Sequence, residues 1–183
     1  THAIVLAKAR DGAANGGRVQ NDDDFGAISF QGFDGTGGTT YRQGAEIRGA
    51  VDGTPGNNDM PGRLEFLTNS GSSLLERFRI TSAGRVSIPN DSGRFVAGGG
   101  DDLQIYHDGT DSFIDNSTND LILRSTGDDV IIRAADDVII QTASSENAIV
   151  CNDNGGVDIY HNNVKKFETS SGGAAVTGTL NAS

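Results

Sequence analysis

The sequence predicts an all-β protein that assembles as a parallel homotrimer. An N-terminal β-sandwich-like or mixed β unit is expected over residues 1–95, followed over 96–183 by a triple β-helix or β-prism stem. Three observations lead there. The chain of 183 residues holds 14 Ile and 11 Val against 9 Leu, a bias toward side chains that fit a pleated surface. Its 26 Gly are scattered through turn-like passages, without the triplet period of collagen and with only 3 Pro. Short apolar pentads then recur at near-regular intervals after residue 120.

In the N-terminal part, alternation and flanking turn residues predict strands over Ala3–Ala7, Gly26–Phe33, Gly44–Val51 and Arg63–Thr68. Between them lie turn-rich passages such as Asp34-Gly35-Thr36-Gly37-Gly38 and Asp52–Asp59. Leu74–Ile80 is the one stretch with some helical character. It also alternates, with Leu74, Glu76, Phe78 and Ile80 on one side, and it is short and bounded by Ser72-Ser73 and Ser82-Ala83-Gly84. It reads as a strand. The Gly-rich stretch Val96–Asp102 marks the boundary near residue 95.

The repeat consists of Asp120-Leu121-Ile122-Leu123-Arg124, Asp129-Val130-Ile131-Ile132-Arg133 and Asp137-Val138-Ile139-Ile140-Gln141. Weaker copies follow at Asn147–Cys151 and Gly156–Tyr160, and Leu103–His107 is echoed by Val157–His161 at an offset that six such rungs would fill. In a pleated strand, Leu121 with Leu123, Val130 with Ile132, Val138 with Ile140, and Ala148 with Val150 share one face. A unit this short cannot be one coil of a single-chain solenoid. Three parallel copies contributing one strand each per layer would close it, with those eight side chains as the trimer core. An obligate oligomer is therefore expected, which would also cap exposed strand edges.

A net charge of −11 disfavours nucleic acid and anionic membrane surfaces as partners. No apolar run is long enough for a membrane span, so no membrane insertion is expected. The chain opens on Thr-His with no signal-like segment, and the absence of an initial Met suggests a piece of a longer or processed polypeptide. Cys151, the single cysteine, has no intrachain partner and reads as a small strand residue.

Each candidate site competes with a simpler role. The clusters Asp22-Asp23-Asp24, Asp101-Asp102, Asp128-Asp129 and Asp136-Asp137 lack the Gly-Gly-x-Gly-x-Asp turns of a calcium-binding β-roll and read as solvated turns. His107 and His161 each follow a Tyr at matching places in the echo. On a threefold axis, three copies of either would form a metal site, although a packed or surface histidine is the simpler reading. No other metal site and no cofactor is expected. With 25 Asp and Glu, carboxylate pairs carry no information, and the absence of Trp leaves few platforms for sugars. No Ser-His-Asp arrangement or phosphate loop is evident, since Gly98-Gly99-Gly100 precedes two Asp and no Lys. A non-enzyme is expected, with no catalytic residue to name.

Residues 51–88, VDGTPGNNDMPGRLEFLTNSGSSLLERFRITSAGRVSI, closely resemble a segment common in bacteriophage tail fibres and tailspikes, where it often precedes a C-terminal intramolecular chaperone. Residues 4–36 are similar to the segment that usually accompanies it, and DLQIYHDGTDSFIDN, residues 102–116, resembles a repeat of marine and cyanobacterial phage fibres. Together these passages cover about half the chain. The resemblance implies a trimeric, parallel, β-rich fibre on the virion, outside the cell. The autoproteolytic chaperone with its catalytic serine has no counterpart, while Val176–Ser183 resembles the approach to such a junction. The function expected is a structural and adhesive fibre segment that supports or contributes to receptor binding. Its partners would be itself, other virion tail proteins and host surface glycan or lipopolysaccharide. The alternatives are a fragment of a tailspike glycan depolymerase and a calcium-dependent extracellular β-roll.

Overall fold

The computed structural model of the chain describes residues 2–10, 17–35, 40–143 and 145–180. Residues 36–38 of the predicted Gly-rich turn and 181–183 of the chain's end lie outside the described residues. The chain divides into two compact units, Thr1–Leu121 and Ile122–Ser183. Both are built of antiparallel β-structure. Among the described residues no helix is long and apolar enough to cross a membrane.

The first unit opens with a five-stranded meander of β1 (Asp24–Phe33), β2 (Tyr41–Val51), β3 (Gly62–Asn69), β4 (Leu74–Ile80) and β5 (Val86–Ser87), each paired with its sequence neighbour. The first four overlap the strands expected from Gly26 to Ile80. Ala3–Ala7, by contrast, is not a strand; close to it in sequence lies the isolated bridge between Arg10 and Gly17. The pairing aligns Ile28, Ile47, Phe66 and Phe78 in one row across the sheet. The Phe66 and Phe78 rings meet edge to face at 5.5 Å. The next row, Ala27, Arg48, Glu65 and Arg79, lies on the opposite face because side chains alternate. One face is thus apolar and the other ionic. A second sheet, β6 (Arg94–Ala97), β7 (Leu103–His107) and β8 (Ser112–Asn116), completes this unit. One of its faces carries the row Phe95, Ile105, Ile114, and the other the row Arg94, Tyr106, Phe113.

The second unit is a five-stranded meander of β9 (Val138–Thr142), β10 (Glu146–Cys151), β11 (Val157–His161), β12 (Val164–Ser170) and β13 (Gly173–Val176). Its turns show why the strands fold back rather than stack. His161 pairs directly with Val164 across a two-residue loop. Both loop residues, Asn162 and Asn163, have positive φ, at 50° and 57°. That is the type I′ hairpin geometry, which Asn tolerates and β-branched residues do not. Asn162→Val is accordingly expected to destabilise this unit by roughly 1–2 kcal/mol, read from its thermal unfolding by circular dichroism.

The all-β class is what the structure shows, but the parallel homotrimeric triple β-helix or β-prism, and the β-sandwich-like start, are not. Among the described residues three separate antiparallel sheets are present, and none is closed or curled. The reason lies in the length of the repeat. A short strand plus a tight reversal occupies the same number of residues as a strand plus a corner, so the period alone cannot separate a meander from stacked rungs. The rungs at Leu121–Leu123 and Val130–Ile132 are not strands at all. The echo of Leu103–His107 in Val157–His161 survives in another form, as the first strands of two similar hairpins, β7–β8 and β11–β12.

The core is thin, as the composition implies. Among the described residues the buried apolar side chains are Val19, Ala50, Val51, Leu67 and Val150. Large apolar groups remain open on all three sheets, including Ile28, Phe30, Phe95, Ile114, Ile139 and Ile140.

Candidate functional site

The densest cluster of charge lies on the ionic face of the first sheet. Arg48 on β2, Glu65 on β3 and Arg79 on β4 stand opposite one another, so a carboxylate is flanked by two guanidinium groups across adjacent strands. Glu65 is only 4% exposed. Its Oε1 lies 2.6 Å from Arg63 Nε and 3.5 Å from Arg79 Nη2, and its Oε2 lies 3.7 Å from Arg48 Nη1. Glu46 binds Arg48 at 2.6 Å, and Glu76 takes a two-pronged bond from Arg79 at 2.5 Å. Gln43 also donates to Glu46, and Arg63 to the Val51 carbonyl.

The triplet Asp22-Asp23-Asp24 adjoins this cluster: Asp22 sits exposed, with φ of 68°, in the turn that leads into β1, and all three carboxylates meet arginine. Asp22 binds Arg63 at 2.9 Å, Asp23 takes both Arg10 Nε and Nη2 at 2.6 and 2.9 Å, and Asp24 lies 3.7 Å from Arg48. The Arg10 guanidinium, with the Gln20 N–H at 2.9 Å, holds the Asp23 carboxyl far below the usual carboxylate range. Asp52 is held down by the Ser82 N–H at 2.7 Å. Among the described residues every buried side-chain nitrogen and oxygen has a hydrogen-bond partner. The arginines here are each engaged by carboxylates, so this face ties β1 to β4 together; it does not present free charge to a ligand.

A second arrangement sits on the three-stranded sheet. The Arg94 guanidinium lies 3.8 Å from the Tyr106 ring centroid, and Tyr106 stacks on Phe113 at 4.9 Å. Arg94 Nη1 also donates to Gln104 at 2.7 Å. Both faces of the tyrosine ring are therefore taken by its own neighbours.

The residues expected to matter from sequence are dispersed. His107 ends β7, exposed, with Nδ1 3.2 Å from Ser112 Oγ, and His161 ends β11, also exposed. Among the described residues no group of three or more His, Cys, Asp or Glu is placed to hold a metal ion. Of the eight side chains expected to line an axis, Val138 and Ile140 fall on β9, and Ala148 and Val150 on β10. Ala148 occupies a bulge, and Val150 is buried against Ile139 of β9 and Asp158 of β11. Leu121, Leu123, Val130 and Ile132 lie exposed outside any sheet.

Sequence reasoning missed the ionic face. Its signal was present as alternating charges, Glu46-x-Arg48, Arg63-x-Glu65 and Glu76-x-x-Arg79, whose meaning depends on which strands pair. No protein-family model matches the chain, and no curated protein matches it.

Proposed function

We propose that this chain is a structural and adhesive segment of a bacteriophage tail fibre, carried on the virion outside the cell. On this reading it associates with further copies of itself and with other tail proteins, and bears on host surface glycan or lipopolysaccharide. The observation that carries the reading is a succession of three single-layer sheets whose apolar faces are uncovered in the lone chain. Such faces need cover from another surface, and a repeating structural assembly supplies it. The resemblance of residues 4–36, 51–88 and 102–116 to fibre segments points to which assembly that is. The mechanism is mechanical. Ladder hydrogen bonds hold each sheet together, ion pairs add to them in the two five-stranded sheets, and weak contacts to a host surface are multiplied by the number of copies.

Antibody raised against the full chain should decorate the tail fibres of the virions that carry it in electron micrographs. Label confined to the capsid, or absent from particles, overturns the assignment. Incubation of the chain with host polysaccharide should release no new reducing ends. Release would transfer the reading to a tailspike depolymerase.

A further inference from the structure

The pentads Asp120–Arg124 and Asp129–Arg133 form the part of the chain that the fold leaves unused. No strand and no backbone-to-backbone hydrogen bond occurs among residues 118–137. The central Ile122 and Ile131 are each 74% exposed, and the flanking Leu121, Leu123, Val130 and Ile132 are open as well. Six large aliphatics are thus open to water, in two runs of peptide groups that lack a backbone partner.

The order of residues within each pentad states what would cover it. Each begins with Asp, ends with Arg and has Ile at its centre. Laid antiparallel against another such pentad, Asp meets Arg at both ends, aliphatic meets aliphatic between them, and Ile meets Ile at the middle. Laid parallel and in register, Asp would stand beside Asp and Arg beside Arg, which is unfavourable for directly neighbouring side chains. The third pentad, Asp137–Gln141, pairs antiparallel over its apolar part without a charge match: Val138 faces Cys151, while Asp137 lies outside the ladder and accepts the Asp153 N–H at 2.7 Å. Its Ile139 and Ile140 pair antiparallel with Val150 and Ile149 of β10, and its terminal Gln141 donates to the opposing Asn147 at 2.9 Å. The first two pentads share its apolar centre, carry Arg where it has Gln141, and are not part of any strand. Within one chain they do not pair with each other.

We propose that residues 120–133 are a self-docking site, in which a pentad of a second copy of this chain pairs antiparallel with a pentad of the first. The partner is thus identified by its charge order as another copy of the same sequence. This goes beyond the fibre reading, since it specifies strand direction and contact residues. It is tested by strand pairing, independently of where the protein resides.

The experiment uses the full chain carrying Ile122→Cys and Ile131→Cys with Cys151→Ser. In an antiparallel pair the central residues oppose each other with their α-carbons about 4.5–5.5 Å apart, within reach of a disulfide. Mild oxidation should therefore give disulfide-linked multimers on a non-reducing gel. Adding Arg124→Asp and Arg133→Asp, which sets Asp against Asp, should reduce that linkage tenfold or more. Restoring the match with Asp120→Arg and Asp129→Arg should bring it back. An intrachain disulfide in a monomer, no disulfide, or linkage indifferent to the charge changes would each overturn the proposal. Sedimentation of the chain without cysteine substitutions, alone and with the two Arg→Asp changes, guards against misfolding of the labelled variant. A monomer mass for the unsubstituted chain also overturns the proposal.

Discussion

Replacing Glu65 with alanine is expected to lower the stability of the first sheet by about 3 kcal/mol, one of the two largest effects of any single substitution proposed for this chain. The figure follows from what the carboxylate touches. Glu65 is buried at the centre of β3, and its two oxygens face Arg63, Arg79 and Arg48. The Arg63 side chain is only 8% exposed. Truncation would leave that guanidinium with Asp22 and the Val51 carbonyl while removing its nearest carboxylate. Breaking a buried pair by deleting one partner costs far more than the pair itself contributes, because the remaining charge keeps its desolvation cost. The comparison is Glu168→Ala on β12. Its bond to Lys165 joins two side chains each 41% exposed, and such solvent-screened pairs contribute little to stability. Urea unfolding, followed by amide exchange in β2 to β4 for the first variant and in β11 and β12 for the second, measures both. A loss below about 1 kcal/mol in Glu65→Ala would show that water reaches the cluster and that it behaves as a surface network.

The elements that could be read from sequence were those whose evidence is local. Leu74–Ile80 alternates and is closed at both ends by Ser and Gly, and it is β4. The pairing of strands is a different matter. A stack of rungs and an antiparallel meander place the same apolar residues at the same spacing, and the distinction rests on the turns. Asn162-Asn163 is such a turn, since adjacent Asn residues tolerate the positive φ that a two-residue hairpin demands. Weighting that dipeptide above the period would have favoured the observed topology. The ionic face depends even more on long-range information. Arg48, Glu65 and Arg79 are far apart in sequence, and only the register of β2, β3 and β4 brings them into one row. Asp22-Asp23-Asp24 likewise reads as a solvated run until the partners Arg63, Arg10 and Arg48 are known. The pentads at 120–133 mark the opposite limit. Their apolar pattern is plain, yet within the single chain there is no strand for them to join.

Gly156→Ala is expected to be as damaging to the second unit as Glu65→Ala is to the first, for a steric reason. Gly156 closes the β10–β11 turn. Its carbonyl accepts the Asn152 backbone N–H at 3.0 Å and the Asn152 side-chain amide at 2.9 Å, which fixes its position from one side. On the other side it lies against β12, where the next residue, Val157, donates its N–H to Thr169 Oγ1 at 2.8 Å. A Cβ added to Gly156 would collide with the carbonyl oxygen of Thr169, a backbone atom that cannot turn aside as a side chain does. Either the turn must leave Asn152 or β11 must part from β12, and each choice gives up hydrogen bonds contributing roughly 1 kcal/mol apiece along with the packing of Ile159 on Phe167. A loss of about 3 kcal/mol is expected, in the range for overpacking at a rigid site. Gly172→Ala supplies the control, because a Cβ there meets only the Ser170 hydroxyl at 3.9 Å. Thermal unfolding of the two variants by circular dichroism separates the outcomes. Equal midpoints would mean that β11 and β12 are less closely apposed at Thr169 than the structure places them.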